Sequence, residues 1–295
     1  MNTTATNLGN EIVEVLRNPS YRLTGIVEIS RLSERDRSEL LRRIKEYALP
    51  LLQQPEFANL QALGPRLITP APHYGLDGQW SNYWDVEHYG KEGICAWVVS
   101  AMPPPELLVH LSQANRTVAP DGNSYLLRWH IARSLQVLHA RRDLPAVREW
   151  LAPVHKIWLP VPDPGRERWV CLEGEDRAPT SQGDAFELDS ACWQALTGDP
   201  LEYTLADAIG TAMAAAGMTG QCHTIRLGIA RAHLIAARKA GLSRQQDLIS
   251  YVTMMTLNGD ALAESAAWKQ AVAEASELKR PLADALQAPL SCQPR

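Results

Sequence analysis

Phenylalanine is nearly absent from this chain, with two residues against nine tryptophans. A core made from that stock takes its aromatic volume from tryptophan. Eight of the nine tryptophans precede residue 200. They are expected mainly inside an amino-terminal sheet, although tryptophan is also the residue most enriched at binding hot spots. Long apolar runs are missing too. No stretch approaches the roughly 18 uninterrupted apolar residues of a membrane helix. The opening MNTTATNLGNEIVEVLRNPS lacks the basic start and apolar run of a secretory signal. Closely spaced cysteines are lacking as well: Cys95, Cys171, Cys192, Cys222 and Cys292 form no C-x-x-C for zinc or dithiol chemistry. These absences point to a cytoplasmic protein with reduced thiols.

The familiar catalytic signatures are also absent. There is no H-E-x-x-H, no G-x-S-x-G, no phosphate loop and no G-x-G-x-x-G after a strand. A net charge of −4 gives no global bias toward nucleic acid or an acidic membrane. What remains is an ordinary globular composition, 45% hydrophobic and 21% charged over 295 residues. That length fits one large domain or two ordinary ones.

Local signals are densest between Trp97 and Pro160. Ile94 to Val99 is a continuous apolar run, hence a buried strand. Pro103, Pro104 and Pro105 suit a helix start, and Leu107, Leu108, Leu111 and Ala114 follow on one stripe. Asp121-Gly122 signals a hairpin, with an alternating strand from Tyr125 to His130 behind it. A helix is expected over 131–142, and a short one from Pro145 to Leu151. A strand from Val154 to Val161 turns at Pro164-Gly165 toward Trp169, Val170 and Leu172.

Upstream, Ser33 and Asp36 have the form of a capping box. The helix behind it, through Leu40, Leu41, Ile44, Ala48 and Leu51, is limited by Pro50. Leu67 and Ile68 form a short strand. Residues 70–93, rich in aromatics, proline and glycine and without a period, read as a loop. Beyond residue 185 the chain turns rich in alanine and leucine. Helices are expected at about 187–197, 203–216, 222–240, 244–257 and 261–279, with Gly217, Gly220, Gly241 and Gly259 at their ends. The expected fold class is therefore α+β: an amino-terminal domain with a small, mostly antiparallel sheet, then an all-helical carboxy-terminal lobe. Residues 1–30 form a loose or docked segment, 31–173 the α/β domain, 174–184 a linker or loop, and 185–295 the helical lobe.

Three groups of residues offer chemistry. Asp85, Glu87 and His88 place two carboxylates and an imidazole in the expected loop, which suits a cation or an enzyme of unfamiliar type, yet no second ligand group accompanies them. Cys95 lies in an expected buried strand, where a thiol behaves as a small apolar group. Between Asp207 and Asp247 there is no acidic residue, while Arg226, Arg231, Arg238, Lys239 and Arg244 are present. At 100° per residue Ile225, Ile229, Ala232 and Ala236 share one side of a helix, with Arg231 and Arg238 nearly opposite. That is either an ordinary solvated face or a basic ridge over 222–244 for an acidic protein or nucleic acid.

The order of motifs over residues 47–172 resembles that of the type VI secretion effector chaperones, or adaptors. Tyr47 stands for the family's tyrosine-bearing segment and Gly64-Pro65-Arg66-Leu67 for its G-P-x-L strand. Trp97-Val98-Val99-Ser100 and then His110-Leu111 follow in the family's order. Asp121-Gly122 precedes Leu127-Arg128-Trp129-His130-Ile131-Ala132-Arg133, where the family has L-R-F-Y-D-P-R. Leu151-Ala152-Pro153-Val154 and Trp158 occupy the F-G-P-V and tryptophan-strand positions. Ile131, Ala132, Leu151 and Ala152 depart from that pattern.

The resemblance implies a non-enzymatic role without cofactor or metal. The protein would bind a toxin effector in the cytoplasm, stabilise it and help load it onto the VgrG spike, with no membrane partner and no nucleic acid. Arg128, Trp129, Arg133, Pro153 and Trp158, with Arg231 and Arg238 of the basic helix, are the residues expected to serve as partner-binding or structural groups.

Overall fold

The computed structural model describes residues 8–180, 186–197, 200–217 and 221–287. Cys292, the helix-end Gly220, the first seven residues and positions 181–184 of the expected linker lie outside them. The chain divides into two units. The first holds residues 1–161 and 168–198, and the second 162–167 and 199–295.

The first unit is a mixed α+β body around a six-stranded antiparallel sheet. It begins with α1 (Leu8–Leu16), then β1 (Arg22–Glu28), α2 (Glu34–Ile44), β2 (Ala48–Pro50), β3 (Pro65–Ile68), α3 (Leu76–Tyr89) and β4 (Ile94–Ser100). Next come α4 (Pro104–Ser112), β5 (Arg116–Val118), β6 (Ser124–Leu126), α5 (Ala132–Ala140), α6 (Pro145–Trp150), β7 (Val154–Val161) and β8 (Arg168–Glu173). β9 (Phe186–Glu187) and α7 (Ser190–Thr197) complete it. The large sheet has the order β2-β3-β1-β4-β7-β8, and a small sheet has the order β6-β5-β9.

Side-chain alternation sorts the central strands into two cores. Leu23 and Val27 of β1, Trp97 and Val99 of β4 and Trp158 of β7 pack with Ile12, Leu40, Ile44, Tyr83 and Val86 of α1 to α3. Ile26, Ala96, Val98, Ile157 and Leu159 face the other way, against Leu107, Leu111, Trp129, Leu135 and Trp150. Helices therefore cover both faces. Five of the nine tryptophans, Trp97, Trp129, Trp150, Trp158 and Trp268, are core residues, while Trp84 is 56% exposed.

Several expectations need correction. The segment 70–93 holds a fourteen-residue helix, α3. Its buried face is Gln79, Asn82, Tyr83 and Val86, half polar, so hydropathy shows no period there. Gln79 earns its burial by accepting from the Leu23 N–H (2.9 Å) through its side-chain oxygen. The helix capped by Ser33, whose side chain accepts from the Asp36 N–H, ends at Ile44 rather than Pro50. Ala48–Pro50 is an edge strand, a place that tolerates proline. β1 carries no strand signal in the segment expected to be loose or docked: it is buried on both faces, lacks alternation, and is interrupted by Gly25. The strand after the Asp121-Gly122 hairpin stops at Leu126 instead of reaching His130. Residues 186–187 pair in parallel with β5 ahead of the helix expected there. Residues 174–177 are tied to the first unit, with Asp176 N–H donating to Val154 O and Arg177 N–H to Ala152 O.

The second unit contains α8 (Pro200–Ala215), α9 (His223–Lys239), α10 (Gln245–Glu264), α11 (Ala266–Ser276) and α12 (Leu282–Gln287). They surround one core that includes Leu205, Ile209, Leu234, Val252 and Trp268. The expected break at Gly259 exists as a kink inside α10 (φ 60°, ψ −151°). The buried side of α9 is rotated from expectation. It is Leu227, Gly228, Ala230, Leu234 and Ala237, while Ala232 is exposed and Ile235 is 62% exposed. Small residues let neighbours approach, most closely at Gly228, where a Cβ would lie 2.5 Å from the backbone of Asp163.

Candidate functional site

The residues singled out between 128 and 158 do not converge on one site. Arg128 alone of them reaches a shared polar group: with His130 it meets the Glu28 carboxylate, which no sequence motif marks. β1 ends at Glu28, which is 4% exposed. Its carboxylate accepts from Arg128 Nη2 (2.8 Å), from His130 Nε2 (3.1 Å) and from Ser30 Oγ (3.1 Å). Burial alone would push the Glu28 carboxyl up. The hydrogen bond from His130 and the Arg128 charge reverse that and hold it at about 2. Burial pushes the His130 imidazole below its ordinary value, and its Nε2–H donates to the carboxylate. Its Nδ1 is buried without a hydrogen-bond partner. Cys95 lies nearby, but burial pushes its thiol up to about 11. Sγ–H donates to Gly93 O (3.4 Å), so the sulfur is a poor nucleophile.

The backbone around Arg128 is fixed by a second polar hub. Asn115, fully buried, accepts from Trp129 Nε1 at Oδ1 (2.8 Å) and donates to Leu51 O (2.7 Å). Its backbone carbonyl accepts from the Leu127 N–H. Trp129 meets Trp150 edge to face (5.0 Å, 76°), and Trp150 meets Phe186 likewise. Leu127 to His130 is thereby pinned from both sides. No motif marks Asn115 in the sequence, because a lone asparagine after a helix reads as a turn residue.

The other candidates serve separate places. Arg133 donates from Nη2 to Ala195 O of α7 (3.1 Å). Pro153 O accepts from the buried Ser100 hydroxyl. Trp158, 1% exposed, donates from Nε1 to Glu11 (2.8 Å) and so docks α1. In the second unit Arg231 pairs with Glu202 (2.9 Å) and Arg244 with Asp247 (2.6 Å). Arg226 donates to Ala206 O (3.2 Å), and Arg238 is exposed. Much of the expected ridge is thus engaged within its own unit. Asp85, Glu87 and His88 stand on α3, not in a loop. Asp85 pairs with Arg43 (3.0 Å), Glu87 accepts from Trp97 Nε1 (3.3 Å), and His88 lies edge-on to Tyr89. Among the described residues no group of three or more His, Cys, Asp or Glu could hold a metal ion. Nor is any helix there long and apolar enough to cross a membrane.

The Glu28 cluster ties the start of one stretch of chain to its far part, since 100 residues separate Glu28 from Arg128. Residues 29–149 match the family described as a domain of unknown function, DUF4123. That family is associated with type VI secretion effector chaperones. Comparison with curated proteins and with solved structures found no match. Glu28 stands one residue ahead of the matched stretch, and Arg128 and His130 stand within it. The cluster ties the residue just ahead of the matched region to the far part of that region.

Proposed function

We propose that this chain is a non-enzymatic adaptor that binds a type VI secretion toxin effector in the cytoplasm, stabilises it and helps load it onto the VgrG spike. The observation that carries the reading is the DUF4123 match over residues 29–149, which overlaps the stretch 47–172 whose motif order resembles the effector chaperones. The disposition of reactive groups agrees with it. Glu28 accepts from both His130 and Arg128, burial pushes the Cys95 thiol up to about 11, and Asp85 and Glu87 of α3 are engaged by Arg43 and Trp97.

The test is co-expression with candidate toxin effectors from the same genome, beginning with the products of the neighbouring genes. The toxin is expected to co-purify and to lose solubility or yield when expressed alone. A toxin that is equally soluble alone and absent from the purified protein would refute the adaptor role.

A further inference from the structure

The two edges of the large sheet are finished differently. At the β2 edge the backbone groups of Ala48 and Pro50 face away from β3. Their carbonyls accept from Arg66 Nη1 (2.8 Å) and Gln53 Nε2, and Pro50 has no N–H to leave open. At the β8 edge the phase is set by Gly174 N–H donating to His155 O (3.1 Å). Antiparallel pairs alternate between bonded and non-bonded. The register Lys156↔Glu173 to Val161↔Arg168 therefore turns the backbone groups of Trp169, Cys171 and Glu173 away from β7. Pro160, opposite Trp169, fits that phase because it has no N–H to give. The outward Glu173 carbonyl accepts from His139 Nε2 (2.9 Å) and Arg142 Nη1 (3.4 Å). Among the described residues no strand and no side chain meets the outward N–H and C=O of Trp169 and Cys171. Cys171 is exposed, and Trp169, Val170 and Leu172 are half-buried. A strand edge in this state is a template for pairing.

We propose that this edge is a strand-addition site: it takes an extended segment of a partner protein in antiparallel register, with apolar side chains beside Trp169, Val170 and Leu172 and a carboxylate where it passes Arg168. The adaptor reading enters only in naming that partner as the effector. Alternating free N–H and C=O groups are matched only by another extended backbone. Every pairing in this sheet is antiparallel. Arg168, exposed at the amino end of β8, sets the charge. A second copy fits poorly. Pairing two copies about their Cys171 residues sets Arg168 against Gly174 and Trp169 against Glu173, leaving the end charges unmatched. Six residues also span only about 20 Å, too little for the roughly 1,200 Å² of a stable interface.

The test uses the full chain and the peptide acetyl-Lys-Thr-Val-Tyr-Val-Asp-amide, with hydrogen exchange read by mass spectrometry over 168–173. At millimolar peptide, exchange there is expected to slow several-fold. Cys171→Pro, which removes an outward N–H, should abolish the effect at unchanged melting temperature, while Cys171→Ser keeps it. Should the proline variant fail to fold, Arg168→Glu decides: it should weaken this peptide about tenfold and favour one ending in lysine. No protection at millimolar peptide would overturn the proposal, as would protection that ignores these substitutions. A wild-type dimer dissolved by Cys171→Pro would overturn it too, by giving the edge to a second copy. A co-expressed toxin retained equally by wild type and Cys171→Pro refutes the edge and leaves the adaptor role standing. Peptide binding with no toxin retained does the reverse.

Discussion

Each unit hides one carboxylate against an arginine, and the two are used differently. Glu28 of the first unit joins β1 to residues 100 and 102 positions later. Asp247 of the second unit, 1% exposed, pairs with Arg244 three residues away and accepts from the Leu282 N–H (2.8 Å). The first is a tie between distant stretches of a sheet. The second is a helix-end device that also holds α12. Losing the first should loosen a whole layer, whereas losing the second should free one short helix. Tryptophan reports them separately, because Trp268 is the lone tryptophan beyond residue 198.

The largest effect is expected from Glu28→Ala. It leaves the buried His130 Nε2–H without an acceptor and opens a cavity at the end of β1. Removing one member of such a buried set costs about 3–5 kcal/mol. Urea unfolding followed by tryptophan fluorescence should show the midpoint falling accordingly. A loss below about 1 kcal/mol would mean that water enters and replaces the carboxylate.

The same group sets a pH dependence. The folded state holds the Glu28 carboxyl at about 2 against 4.5, so folding favours its ionised form. That stability is complete above pH 4.5 and drains as pH falls toward 2. His130 works in the same direction, since burial lowers its value from 6.5 and the unfolded chain takes the proton first as pH falls below 6.5. Stability of the first unit should therefore decline in two stages on acidification. In Glu28→Gln the stage below pH 4.5 should flatten. An identical slope in that variant would assign acid sensitivity to other carboxylates.

How much of this was legible follows from where the signals lie. The hairpin at Asp121-Gly122, the buried strand over 94–99, the Pro104 helix start and the glycine at 259 are local events with local causes, and they stand where the sequence puts them. α3 was hidden because its inward face carries Gln79 and Asn82, whose burial depends on partners elsewhere in the fold. The buried side of α9 was misplaced because Gly228, Ala230 and Ala237 bury by smallness, while the bulky Ile235 stays outside. Arg128 could be singled out from the resemblance, but its partner could not. Glu28 looks like any charge ending a strand, and only the antiparallel placement of β1 between β3 and β4 brings it within reach. Sequence periodicity describes how one element meets a core, not which distant side chain satisfies a buried charge.

Asp247→Ala should cost less than Glu28→Ala, about 1.5–3 kcal/mol, the range for a hydrogen bond to a charged group. Arg244 is 34% exposed and still donates to Arg280 O (2.7 Å), so it can do without Asp247. The Leu282 N–H cannot, and α12 should fray. Hydrogen exchange over 282–287 should accelerate while the tryptophans of the first unit keep their urea midpoint. A shift of that midpoint would show the two units unfolding together.

The smallest effect is expected from Arg128→Ala. The Arg128 side chain is 53% exposed, and exposed members of ion pairs contribute about 1 kcal/mol or less. Glu28 would keep His130 and Ser30 as donors, so the layer should hold. The same substitution separates a structural tie from a partner contact, because half of the Arg128 side chain faces solvent, where a carboxylate of the proposed partner has access to it. A melting point within about 3 °C of wild type, together with weakened toxin co-purification, is the expected outcome. Retained co-purification at an equally small stability loss would confine Arg128 to the Glu28 cluster and leave the contact surface to the open edge at Trp169 and Cys171.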